Sequence, residues 1–172
     1  MNALAAAAMF VMLACDAAGA AGIAIPDEQL LDQDSTAVAA GAALSGKSVT
    51  VVSFTYTGCR SICPVADLVM SALDRAPGDF RIATLTIDPI GDTPEVLARH
   101  AEALGASPRW RFYTGDPEKV LDVVSALGMD PRSLTDHPSF FLVIGPAMHS
   151  VTRLEISASS ADIRRAVAAA AR

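Results

Sequence analysis

The 172-residue sequence is poor in cysteine, in aromatic residues and in positive charge. It has three Cys, one Trp, two Tyr and six Phe, and 13 basic residues against 19 acidic ones. Three cysteines are too few to staple a small disulfide scaffold and too few for a four-thiolate zinc site. A net charge of −6 and a pI near 4.9 exclude a nucleic-acid partner, because that binding depends on neutralising phosphates with Lys and Arg. The apolar run at the N-terminus is shorter than the ~20 residues a helix needs to span a bilayer. In place of aromatics the chain has about 33 alanines within a 52% hydrophobic composition. With 19% charged residues and a mean hydropathy of +0.38, it is not a disordered sequence. Its length fits one domain with a sizeable core.

No charged side chain precedes Asp16. The stretch from Met1 to Ala14 suits the apolar region of a secretory signal, and Ala17 to Gly22 supplies small residues for cleavage. Leu13-Ala14-Cys15 resembles the end of a bacterial lipoprotein signal, in which Cys15 is lipidated. Cleavage within Ala18-Gly19-Ala20 removes Cys15 instead. Residues 1–22 are therefore expected to be a signal or lipoprotein-type export segment, and residues 23–172 the folded domain. The expected location is periplasmic and associated with the inner membrane, with a tether through the N-terminus.

Residues 23–48 read as loop-like, with a weak Ala-rich stretch, and the acids of 27–34 as a solvated segment. Val49 to Thr55 is β-branched and apolar, which predicts a buried strand. Val65 to Arg75 has helical spacing, with Val65, Leu68, Val69, Ala72 and Leu73 on one face and Pro64 in the first turn. Arg81 to Ile87 predicts a second strand. Asp92-Thr93-Pro94-Glu95 predicts a helix start and Gly105 its stop. A strand at Arg111–Tyr113, a helix opened by Asp116-Pro117 and a buried strand at Phe140–Ile144 follow. Val151–Ile156 pairs with that strand as a hairpin, and a last helix is capped by Ser159 or Ser160. This order predicts an α/β fold: a mainly parallel central sheet, closed by a terminal antiparallel hairpin, with helices on both faces.

Thr55-Tyr56-Thr57-Gly58-Cys59-Arg60-Ser61-Ile62-Cys63-Pro64 lies between a predicted strand and a predicted helix, at the carboxyl edge where open α/β sheets build their sites. Free N–H groups at a helix start favour a thiolate there, and Arg60 adds positive charge. Two thiolates side by side bind a soft metal or form a disulfide. A metal needs a further ligand, for which His100, His137 and His149 are candidates. His137 stands just before the Phe140–Ile144 strand, whose start can lie beside the end of the first strand. His100 lies mid-helix and reads as packing or solvated; His149 sits in a hairpin turn and reads as solvated. A Cys₂His set suits copper.

These residues resemble the SCO/SenC copper chaperones of cytochrome c oxidase assembly. The resemblance runs from about Val49 to Ile163. It rests on the Cys59–Pro64 motif, on Ile87-Asp88-Pro89 followed by Asp92-Thr93-Pro94-Glu95, and on Asp136-His137 with the strand ending at Ile144-Gly145-Pro146. It implies a thioredoxin-like fold and copper, as Cu(I) or Cu(II), held by Cys59, Cys63 and His137. It further implies supporting roles for Asp88 and Asp136 and delivery of copper to the binuclear site of oxidase subunit II, or reduction of that site's thiols. Another copper or thiol client is the other possible partner. Pro138, directly after His137, matches the proline that faces the cysteines in thioredoxin-like proteins. It adds weight to a second reading, a metal-free thiol–disulfide oxidoreductase in which Cys59 attacks and Cys63 resolves.

Overall fold

The first long strand, Val49–Thr55 (β3), is buried along its whole length. Its side chains alternate between two cores, as the period-2 geometry of a strand requires. Val49 and Val51 enter one core; Val52 and Phe54 enter the other. A computed structural model describes residues 23–130 and 139–172. The other strands are Gln29–Asp32 (β1), Ala37–Ala39 (β2), Phe80–Thr86 (β4), Trp110–Thr114 (β5), Phe140–Ile144 (β6) and Val151–Glu155 (β7). Together they form a seven-stranded sheet of order β2-β1-β5-β4-β3-β6-β7, in which β3 lies between β4 and β6.

The β3, β4 and β5 strands are parallel and are joined through helices Cys63–Asp74 (α2) and Pro94–Leu104 (α3). Both helices bury residues in the same core, as successive right-handed crossovers in one direction require. They are joined there by Ser160–Ala170 (α5). Helices Ala40–Leu44 (α1) and Pro117–Ala126 (α4) cover the opposite face. The expected α/β architecture with helices on both faces is thus present. Its parallel part is the three crossover-linked strands; outside them the pairing is antiparallel, including β6 on β3. Because β6 runs against β3, its first residue lies near the last residues of β3, and the Phe54 and Phe140 rings meet edge-on at 5.2 Å.

Two expectations are corrected. Residues 23–48 are not merely loop: they form β1, β2 and α1, which extend the sheet beyond β5 and bury Leu30, Ala40, Ala43 and Leu44. The acids here are not simply solvated. Asp32 is buried, accepts the N–H groups of Asp34 and Thr36, and pairs with Arg111 at 2.7 Å. The elements are only three to five residues long, too short to carry a period. The second correction concerns α2. Its buried face is Cys63, Ala66, Met70 and Leu73, while Val65 and Leu68 are exposed, Leu68 at 72%. The apolar spacing of the sequence is shared by two overlapping faces, and the packing of α2 on the sheet and on α5 selects the one with Met70.

The helix starts follow the sequence. Thr93 caps α3 with Pro94 in its first turn, and Gly105 closes α3 in the left-handed conformation at φ 66°, where a side chain is strained. Asp116 caps α4, and Ser159 and Asp162 form a reciprocal capping box on α5. Among the described residues no helix is long and apolar enough to cross a membrane.

Candidate functional site

Beyond Thr55 the chain leaves β3 and turns at once: the Cys59 N–H donates to the Tyr56 carbonyl at 3.0 Å. The loop then climbs to the first turn of α2, where Cys63 is the first helical residue and Pro64 follows. At that position the backbone N–H groups have no partner inside the helix, and the Cys63 N–H points at the Cys59 sulfur, 3.3 Å away. The Ser61 hydroxyl lies 3.7 Å from the same sulfur. The two cysteines are therefore brought together as the sequence predicted. Neither is in a disulfide, and both are mostly buried, at 9% and 5% exposure.

The environments of the two sulfurs differ. Burial works against ionising Cys59. The Cys63 thiol and the Ser61 and Cys63 backbone N–H groups overcome that cost and lower its pKa to about 7. Cys63 lies deeper, beneath the loop. Burial is the main cause, and its thiol's bond to Cys59 adds to it; together they push Cys63 up to about 12. One sulfur is thus poised as a thiolate near neutral pH, while the other keeps its proton until something displaces it. Phe54, Ile62, Ala66, Met129, Ser139, Phe140 and Ile156 line a small, largely apolar cavity against Cys63.

Asp88 sits in the turn after β4. It accepts the Gly91 N–H at 3.1 Å, and a Cβ on Gly91 would lie 2.5 Å from its carboxylate. A side chain at Gly91 would have to push the Asp88 carboxylate aside. Tyr56 is half-buried; burial, its bond to Cys59 and the charges of Cys59, Cys63 and Asp88 raise its phenol pKa. His100 is a packing residue, as expected. Its Nε2 lies 3.1 Å from Asp67 and its ring stands edge-on to Phe112. His149 is an exposed turn residue whose Nδ1 contacts the Pro146 carbonyl. Cys15, Asp136, His137 and Pro138 lie outside the described residues. Among the described residues no group of three His, Cys, Asp or Glu is placed to hold a metal ion.

Sequence reasoning missed Asp92. The run Asp-Thr-Pro-Glu reads as a helix cap, and Thr93 takes that role, accepting the Val96 N–H. The Asp92 carboxylate instead turns inward, at 1% exposure, and meets Thr57 and Thr86. A second acid directly before a complete Thr-Pro-Glu cap is the one signal that could have set it apart.

The sequence model of the SCO1/SenC family matches residues 23–172. The chain is 26% identical over 110 residues to an SCO2-like protein of Rickettsia prowazekii (strain Madrid E), a match covering 56% of this chain and 53% of that protein. It spans about half the length of the curated relatives it matches. Its fold is similar to Bradyrhizobium japonicum ScoI with copper bound, at TM-score 0.69 and 22% identity over 85% of this chain and 99% of that one. It is similar also to an SCO1/SenC family lipoprotein from Bacillus anthracis str. Ames, at TM-score 0.74 and 21% identity over 86% and 95%. BsSco, described through a disulfide switch as a member of the Sco family of cytochrome c oxidase assembly proteins, aligns at TM-score 0.72 and 21% identity over 87% and 94%. These solved structures share the α/β fold seen here, and with the family model matching residues 23–172 the chain belongs to the SCO1/SenC family.

Proposed function

We propose that this protein is an exported copper carrier that binds copper through Cys59, Cys63 and His137 and passes it to the binuclear copper site of cytochrome c oxidase subunit II or to another copper client. The observation that carries this reading is the convergence of two unpaired sulfurs at the start of α2, with the Cys63 N–H 3.3 Å from the Cys59 sulfur. Thiolates are soft donors that favour Cu(I), and imidazole serves both oxidation states. Cargo copper displaces the thiol protons as it binds, so loading is coupled to proton release. Cys59 is ready to receive the metal near neutral pH, and Cys63 gives up its proton in exchange for the bond. Transfer then proceeds by stepwise replacement of these ligands by a client's thiols.

His137 is the third ligand in this proposal. Ser139, two residues beyond it in sequence, lines the same cavity as Cys63, which supports the choice of His137 over His100 and His149. Asp136 and Pro138 flank the ligand and orient it. Family membership and the copper-bound state of the B. japonicum protein support copper as the cargo. The B. anthracis relative's description as a lipoprotein supports export of residues 1–22 as a leader, with Cys15 lipidated or removed and the 23–172 domain held at the outer side of the inner membrane.

A second reading is favoured by the unequal acidities of the cysteines. The Cys59 thiolate attacks a client disulfide and releases one client thiol. Cys63 then attacks the mixed disulfide, releases the second, and leaves a Cys59–Cys63 disulfide; two electrons pass to the client. This would keep the oxidase copper site's thiols reduced. Anaerobic titration of the reduced protein with Cu(I) separates the readings. One tightly bound equivalent, lost in Cys59→Ala, Cys63→Ala and His137→Ala, is expected for the carrier. Binding indifferent to both cysteines contradicts it.

A further inference from the structure

We infer that Asp92 is a positioning residue for the cysteine pair: its buried carboxylate fixes the Thr57 end of the loop that carries Cys59. The inference rests on the reading that the two sulfurs are the working groups of the protein. One carboxylate oxygen accepts the Thr57 hydroxyl at 2.6 Å and the other the Thr86 hydroxyl at 2.6 Å, while the Thr57 N–H lies 3.1 and 3.2 Å from the two. Thr86 in turn accepts the Asp88 N–H at 2.9 Å, and the Asp92 N–H donates to the Asp88 carbonyl at 2.9 Å. The end of β4, the start of α3 and the cysteine loop are thereby tied at one point.

This tie is directed at the loop and not at α3, whose N-terminus is already served by Thr93 and Pro94. A carboxylate at 1% exposure needs partners to offset its desolvation, and two of its three donors come from Thr57. The loop between Thr57 and Cys63 is thus held at one end by Asp92 and at the other by the first turn of α2. The Tyr56–Cys59 turn lies at the Asp92 end. Where the Cys59 sulfur sits relative to the Cys63 N–H follows from these two anchors. Residues that orient metal ligands in this way typically change metal affinity 10–100-fold when mutated.

The test compares Asp92→Asn with Asp74→Asn. Asp74 is also buried and multiply bonded, to the Ser107 N–H at 2.9 Å, the Ser107 hydroxyl at 2.6 Å and Arg109 at 3.2 Å, but at the far end of α2. Two quantities are measured alongside urea stability: Cu(I) affinity by anaerobic chelator competition, and the rate of Cys59 alkylation by iodoacetamide in the reduced, metal-free protein at pH 7. Asp92→Asn is expected to weaken Cu(I) binding by about ten-fold and to slow Cys59 alkylation severalfold. Asp74→Asn is expected to lose stability with both quantities unchanged. Wild-type values in Asp92→Asn, or equal changes in the two variants, overturn the inference. If the wild-type protein takes up no Cu(I), the functional reading fails, and the alkylation comparison alone decides the role of Asp92. Should Asp92→Asn not fold, Thr57→Val removes a single hydroxyl donor and is expected to move both quantities in the same direction by a smaller factor; unchanged values there overturn the inference equally.

Discussion

The difference between the two sulfurs can be measured without any metal. With Cys59 at about 7 and Cys63 at about 12, half of Cys59 is thiolate at pH 7 and roughly one part in 10⁵ of Cys63. Thiolate abundance alone gives Cys59 an advantage of about 5 × 10⁴, since the thiolate is the reacting species. Part of that is returned, because intrinsic nucleophilicity falls as pKa falls with a Brønsted slope of about 0.4–0.5, roughly a factor of 200 over this interval. The net expectation is alkylation of Cys59 about 250-fold faster than Cys63, before the deeper burial of Cys63 widens the gap. The assay is timed iodoacetamide labelling of the reduced, metal-free protein, with each peptide quantified by mass spectrometry. Repeating it from pH 5 to 9 should place the Cys59 midpoint near 7, below the 8.5 of an ordinary thiol. Equal labelling of the two cysteines, or a Cys59 midpoint at 8.5, would refute the claim that the helix start and the Cys63 thiol stabilise the Cys59 thiolate.

Three further outcomes follow from the geometry. Leu68→Ser, at a 72% exposed position, should change urea stability by no more than ~0.5 kcal/mol, as surface substitutions usually do. Met70→Ala, at a fully buried position outside the face predicted from the sequence, should cost about 2–5 kcal/mol; the reverse order would restore the predicted face. The bond to Asp67, against the cost of burial, holds the His100 pKa above 6.5. The folded state then binds the proton more tightly than the unfolded one. The stabilisation is complete below pH 6.5 and lost as pH rises through the elevated folded value. The advantage of the wild-type protein over His100→Gln in urea midpoint should shrink over that window; parallel profiles would contradict this.

The legible parts of this molecule were those with a strong local code. The β3 strand is long and β-branched, and the caps at Thr93, Asp116 and Ser159 are written in adjacent residues, so both could be read directly. The cysteine pair was legible because its spacing and the following proline carry the helix start. Local pattern failed where distant packing decides. The β1–β2 ribbon exists because β5 offers an edge and Arg111 a partner for Asp32, facts of the sheet and not of residues 29–39. The buried face of α2 was chosen by the sheet and α5. Asp92 looked like a cap because its neighbours are one; its link to Thr57 spans 35 positions, a distance no short motif encodes.

The central claim, that Cys59 and Cys63 together carry copper with His137, is tested most directly by X-ray absorption spectroscopy of the Cu(I)-loaded protein. Two sulfur scatterers and one imidazole are predicted, with the imidazole signal absent in His137→Ala and the sulfur count reduced in either cysteine variant. A copper environment built from nitrogen and oxygen alone, or one unchanged by these substitutions, would contradict the account.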